Sequence, residues 1–357
     1  MPQNVRLDGV QARRLPKRCP MAITCSGIKR GLTVVAIMLV SAAVVETQQS
    51  TQDATTTPRT PWGDPDLQGV WTGSTVTQLE RPREYTAKVF LTEEEAAALE
   101  REAMAQQFAP RPVDPNTGTP LTEGGVGDYN PEWFDSGTAV LPSRRTSLIV
   151  SPINGRIPYK PETLETERPY GIGPYNSYLD LDTGERCLGD GVVEMIWLGY
   201  NPNHQIVQTA DHVVILHEMW RQRRIIPLDD SPHIAPGIRQ WNGDLRGRWD
   251  GDTLVVESTN FVDRWQDYRF NPNHLWRAPS ATLQLMESFK RLDAKTMLYR
   301  VTITDPERFR RPWTIETYLT TDQASRGVTT GPIYEYACHE GNYGASNMLR
   351  GARVTDK

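Results

Sequence analysis

The chain has 357 residues, 39 Lys and Arg against 44 Asp and Glu, and a formal net charge of −5. That length suits one large β domain or two ordinary ones. The acidic balance argues against nucleic-acid recognition, which runs on clustered Lys and Arg, and against adhesion to an anionic membrane surface.

Lys29 and Arg30 precede an apolar run from Leu32 to Val45, and polar Glu46-Thr47-Gln48-Gln49 follows. A positive segment and a short apolar stretch describe a secretory signal peptide over residues 1–45, with Met21 as an alternative start. The run is too short to cross a bilayer comfortably. The segment carries seven Lys or Arg and one acid, so its removal takes the net charge from −5 to −11. With no second such run, the mature protein is expected to be soluble, off the membrane, and periplasmic or extracellular. Of the four cysteines only Cys187 and Cys338 then remain. Two cysteines in an oxidising compartment predict one disulfide, with a thiolate nucleophile or metal ligand as the rival reading.

Residues 46–61 are rich in Gln, Thr, Ser and Pro and read as a flexible linker, followed by a single β-rich domain over 62–357. Pro61 to Trp71 is a turn leading into a short strand. Thr92-Glu93-Glu94-Glu95 forms a capping box, opening a helix near 92–107 whose Phe90/Leu91, Leu99 and Met104 are expected to face the core. Residues 109–145 and 160–185 read as long irregular segments, with a strand at 146–150 and its return at 156–158 between them.

From Val192 the pattern is regular, with strands expected near 192–198, 204–209, 213–220, 223–228, 245–249, 253–260, 282–291, 296–304, 312–320 and 333–338. Their short turns are rich in Asn, Asp, Gly and Pro. Asp250-Gly251-Asp252 is the strongest hairpin signal, because Gly accepts the positive φ of a tight turn. Consecutive hairpins indicate an antiparallel meander. The fold class is therefore mainly β, a meander closed as a barrel to remove exposed edges, with a β-sandwich as the alternative.

The segments PWGDPDLQGVW, RTSLIV, RIIPLD, GRWDGDTLVVESTNF, TDPERFRRPW and IYEYACHEGNYG resemble a family of secreted bacterial β-rich proteins without an assigned activity. That resemblance implies export and a single β-rich unit, not a reaction. Gly69-Val70-Trp71 and Thr304-Asp305 look like the GxW and TD elements of lipocalin-like barrels.

Strand parity nominates the site residues. In the strand ending at Arg291, Glu287 shares a face with Leu283, Leu285 and Phe289, so it should point into the barrel. A carboxylate there needs a partner or a raised pKa. Glu257 follows Val255 and is a second candidate. The first arm of the Asp-Gly hairpin carries Arg239, Trp241, Asp244, Arg246, Arg248 and Trp249. Arg239 is expected either to meet an anionic ligand or to neutralise Glu287. His217, His233 and His339 are further candidates, as polar contacts or as a metal-binding set. HEMW at His217 is not the helical HExxH of zinc proteases, and no nucleotide, calcium or serine-hydrolase motif is present. No cofactor and no metal is implied.

The expected function is an exported protein that binds a small organic molecule, anionic in one version, in a barrel cavity. Arg239, Trp241, Trp249, His217, His233, His339, Glu257 and Glu287 are its candidate contacts. The alternatives are an extracytoplasmic hydrolase or lyase working through His and Glu, and a carbohydrate-binding module presenting an exposed row of Trp. Which side of the wall these residues occupy separates the three.

Overall fold

The structure is a computed structural model. It describes residues 57–107, 135–165, 175–196 and 202–355, less positions 136, 182, 190, 192, 266, 267, 272, 273, 277 and 342. The expected signal peptide, most of the expected linker and much of the first long segment lie outside the described residues.

The strands are β1 (Gly69–Thr72), β2 (Ile149–Ser151), β3 (Asn203–Gln208), β4 (His212–His217), β5 (Arg223–Pro227), β6 (Asp244–Asp250), β7 (Thr253–Thr259), β8 (Tyr268–Asn271), β9 (His274–Trp276), β10 (Gln284–Arg291), β11 (Thr296–Thr304) and β12 (Trp313–Thr320). The helices are α1 (Glu93–Gln107), α2 (Pro161–Glu165) and α3 (Gly344–Thr355). Nine strands form one ladder in the order β5-β4-β3-β1-β12-β11-β10-β7-β6. Around the ladder the strands follow chain order, with β12 returning to β1 at Thr72 and Thr320. The result is a nearly closed antiparallel barrel.

Nine strands pose a parity problem. Directions that alternate around a ring need an even number, so an odd ring must contain one parallel pair. The eight laddered junctions are all antiparallel. Tracing directions through them leaves β5 and β6 running the same way, and these are the two strands where the ladder ends. A parallel pair cannot be joined by a tight hairpin and needs a long connection. Residues 228–243 supply it. Side chains close this seam instead of backbone bonds. At Gly247 on β6 a Cβ would lie 2.6 Å from an Ile226 methyl and 2.7 Å from one of Leu228, so only glycine admits both.

Alternation fills the interior. Leu254 and Val256 of β7, Leu285 and Phe289 of β10, Met297, Tyr299, Val301 and Ile303 of β11, and Trp313 and Ile315 of β12 are buried in one cluster. Trp71 is fully buried in the same cluster, and its indole donates to the Leu67 carbonyl at 2.9 Å. The Arg291 guanidinium lies 5.3 Å over the Trp71 ring. Asp305 accepts from the Ser280 amide and hydroxyl, both at 2.7 Å, so the Thr304-Asp305 pair ties the end of β11 to the approach to β10.

The Asp-Gly turn forms as expected, with Gly251 at φ 57° between β6 and β7. The capping box forms reciprocally: the Glu95 amide donates to the Thr92 hydroxyl, and Glu95 Oε2 accepts from the Thr92 amide. Cys187 and Cys338 are bonded across 151 residues of chain. A loop that long corresponds to about 5 kcal/mol in the chain-entropy account.

Other expectations fail for identifiable reasons. Residues 194–196 form a 3-10 turn rather than a strand, with Met195 and Ile196 buried. A short apolar run carries no signal that separates the two. Segment 156–158 does not pair back on β2, which joins β12 instead. Ile157 donates its amide to Glu80, and Tyr159 bridges to Phe309. Segment 333–338 is not a strand; the Tyr334 amide donates to Glu218, and Cys338 is anchored by its disulfide. The β8–β9 hairpin and α3 were not expected. Of the residues assigned to the core side of α1, Leu91 is buried with Ala96 and Leu99 packs against them, whereas Phe90 and Met104 are exposed.

Candidate functional site

Glu287 points into the barrel, as parity requires, but its partner is Arg224 of β5 rather than Arg239. Both guanidinium ends of Arg224 donate to the two Glu287 oxygens, one at 2.9 Å, in a two-pronged pair. The Tyr299 hydroxyl donates to Glu287 Oε1 at 2.8 Å. The side chains are 6% and 1% exposed, so this is a desolvated ion pair whose charges satisfy each other. Burial, and then the adjacent Glu287 charge, pushes the Tyr299 hydroxyl well above its ordinary value of 10.0 and keeps it a donor.

Beside it lies a histidine pair. His204 of β3 and His217 of β4 are directly opposed in register and meet through their Nδ1 atoms at 2.9 Å. One shared proton makes such a contact, so one ring donates and the other accepts. Burial, reinforced for both by the Arg224 charge, lowers the His204 pKa to about 3 and that of His217 well below its ordinary value. Both rings are neutral near pH 7. Glu218, next in sequence, is turned the other way, accepting from the Asn203 side chain and the Tyr334 amide.

Outside this network, at the seam, lies a groove of about 570 Å³. Its walls are β5, with Arg223, Arg224 and Pro227, and the 240–246 segment leading into β6, with Gln240, Trp241 and Asn242. Trp241 is half-buried and meets Trp265 edge to face at 5.3 Å, while the Trp265 indole donates to the Trp241 carbonyl. The Arg186 guanidinium lies 5.9 Å from the Trp241 ring. Asp244 is already committed to Arg246 at 2.9 Å, His233 at 2.7 Å and the Ile234 amide at 3.1 Å. The groove is therefore an aromatic and amide-lined opening edged by a guanidinium, where the backbone ladder is interrupted.

The candidates named from sequence scatter. Trp241 lines the groove; Trp249 packs against the core; Glu287 and His217 are in the lumen. Arg239 is exposed and donates to the carbonyls of Phe261 and Ala281, because its segment runs outside the wall. Glu257 faces outward, since Leu254, Val256 and Ser258 are the buried positions of β7. His233 belongs to the Asp244 cluster and His339 is exposed, so the two do not join His217 in a metal-binding set. Among the described residues no group of three metal-ligating side chains occurs. Trp71, Trp265 and Trp313 are fully buried rather than presented in a row. Sequence reading missed Arg224 and His204; His204 alternates with Ile206, whereas Arg223-Arg224-Ile225-Ile226 gives both faces the same pair of residue types.

No family model and no curated protein matches the chain. Among solved structures, a "secretary abundant heat soluble (SAHS) protein" from Ramazzottius varieornatus is similar over 43% of this chain and 88% of that one, at 13% identity and a TM-score of 0.21.

Proposed function

We propose that this is an exported protein that binds a small organic ligand in the seam groove between β5 and β6. The observation that carries the reading is the groove itself. It has about 570 Å³ of space, within the range of small-molecule sites, at the junction where, among the described residues, the wall is not laddered. Trp241 offers a flat apolar face, Gln240 and Asn242 offer amides, and Arg223 offers a charge at the edge. An organic carboxylate suits that set. Export rests on the signal-like segment 1–45 and agrees with a formed Cys187–Cys338 disulfide, which belongs to oxidising compartments.

Binding is favoured over turnover because the groups fit for acid–base work are inaccessible. Glu287, His204 and His217 are buried, and Glu287 is saturated by Arg224 and Tyr299. A sugar is the second candidate ligand, since an indole face beside two amides also fits a pyranose.

Titrating the mature protein with small aromatic and aliphatic carboxylates, and separately with monosaccharides, tests this through tryptophan fluorescence and melting temperature. A ligand of the groove should perturb the emission and lose its effect in Trp241→Ala, while Arg239→Met should bind as the parent does. A ligand whose stabilisation survives intact in Trp241→Ala would sink the groove assignment.

A further inference from the structure

A second cavity, of about 450 Å³, lies away from the seam, between the loop after β2 and the turn before β12. Arg156, Ile157, Pro158 and Tyr159 form one side, and Arg310 and Arg311 the other. The two sides are fastened by backbone. The Lys160 amide donates to the Arg308 carbonyl at 3.0 Å, the Arg310 amide donates to the Pro158 carbonyl at 2.9 Å, and Tyr159 bridges to Phe309. The Tyr159 and Phe309 rings are 5.3 Å apart, and Phe309 in turn packs on buried Trp313. The scaffold is therefore rigid, and the arginines stand on it.

Three arginines line this cavity, on a chain whose net charge is −5. Arg310 and Arg311 are exposed, and neither side chain has a hydrogen bond or ion pair among the described residues. Beside Arg156 stands the carboxylate of Glu80. It is already used, accepting the Ile157 amide at 2.7 Å and reaching Arg156 only at 3.5 Å. Positive charge also accumulates behind the cleft, where burial and the charges of Arg145 and Arg156 pull buried Arg81 below its usual value. Arg310 and Arg311 have no carboxylate partner among the described residues, so an anion entering the cleft would meet no competitor for them. Adjacent forks suit a phosphoryl group, which offers several acceptor oxygens and two charges. The apolar wall of Ile157, Pro158 and Tyr159 would take the rest of the molecule.

From this we infer that the cleft between Arg156 and Arg310-Arg311 binds a phosphate monoester, its dianionic head on the arginines and its ring or chain along Tyr159. It is a separate site from the seam groove and stands or falls independently.

The probe is phenyl phosphate, titrated calorimetrically into the mature protein above pH 7, where the monoester carries close to two charges. Saturable one-to-one binding is expected. It should weaken at least about tenfold in Arg310→Gln/Arg311→Gln, roughly as far as losing one good charged contact. Both positions are exposed, so the melting temperature without ligand should not change. Trp241→Ala should bind phenyl phosphate normally, which keeps this result apart from any at the seam. Phenyl sulfate, with one charge, should bind at least about tenfold more weakly. Absence of saturable binding, undiminished affinity in the double variant, or equal affinity for phenyl sulfate would overturn the assignment.

Discussion

Arg223 and Arg224 are consecutive residues on β5 and both border the seam groove, yet their guanidiniums end in opposite chemistry. Arg224 enters the lumen and closes on Glu287, where neither charge meets water and each is the other's solvation. Arg223 faces out at the rim of the seam groove. The period of two in a strand separates them. Polar groups in the lumen hold the barrel together; polar groups at the seam are available to something else. A charged residue in this protein is thus assigned by which side of the wall it reaches, not by its type.

The strongest way to break the comparison is to remove one lumen partner. Arg224→Met should destabilise by about 3–5 kcal/mol, because it leaves the Glu287 carboxylate buried and alone. Urea unfolding measures this directly. Arg223→Met should stay within about 0.5 kcal/mol of the parent, as most exposed substitutions do. The double variant Arg224→Met/Glu287→Leu should recover most of the loss. Equal effects at 223 and 224 would erase the distinction.

A second test uses pH. The two lumen histidines have folded pKa values depressed by burial, about 3 for His204, against an ordinary 6.5. Below about pH 6.5 the unfolded chain takes up protons that the folded state refuses, so their contribution favours folding above that value and is lost progressively as pH falls towards 3. Each ring can contribute up to about 1.4 kcal/mol per pH unit in that window. Stability should fall between about pH 6.5 and pH 5, where ordinary carboxylates have scarcely begun to titrate. That slope should flatten in His204→Gln/His217→Gln, measured at the same pH values.

Gly251→Val should cost about 1–3 kcal/mol, since a β-branched residue is forced to φ near 57° although no atom obstructs its Cβ. A near-neutral melting shift would mean the turn relaxes freely. The smallest effect on stability is expected at the groove. Trp241→Phe should keep the Trp265 contact largely intact and lower the melting temperature only slightly, while ligand affinity drops. Affinity unchanged in that variant would place the ligand elsewhere.

How much of this was legible in the chain varies by residue. Glu287 could be placed inward because Leu285 and Phe289 flank it at two-residue spacing, and its neighbours Met286 and Ser288 do not compete. Glu257 could not, because both faces of β7 offer valine: Val255 outside and Val256 inside. Arg224 was hidden for the same reason. In Arg223-Arg224-Ile225-Ile226 each face presents one arginine and one isoleucine, so alternation is silent, and Ile225 ends exposed while Ile226 is fully buried. Arg239 was misread because a residue in a long connection has no parity at all.

By itself the sequence determined what depends on neighbours close along the chain: the capped start of α1, the Asp-Gly hairpin and the meander of β-rich segments. Local sterics and side-chain spacing settle those before any distant contact forms. The tertiary structure alone decided that the ring has nine strands and so one parallel seam, that Arg224 rather than Arg239 meets Glu287, and that two opposed histidines share the lumen with them. The physical reason is that each of these is a pairing between strands far apart in sequence. Only closure of the barrel brings them within hydrogen-bonding reach, and it fixes which face of each strand is buried.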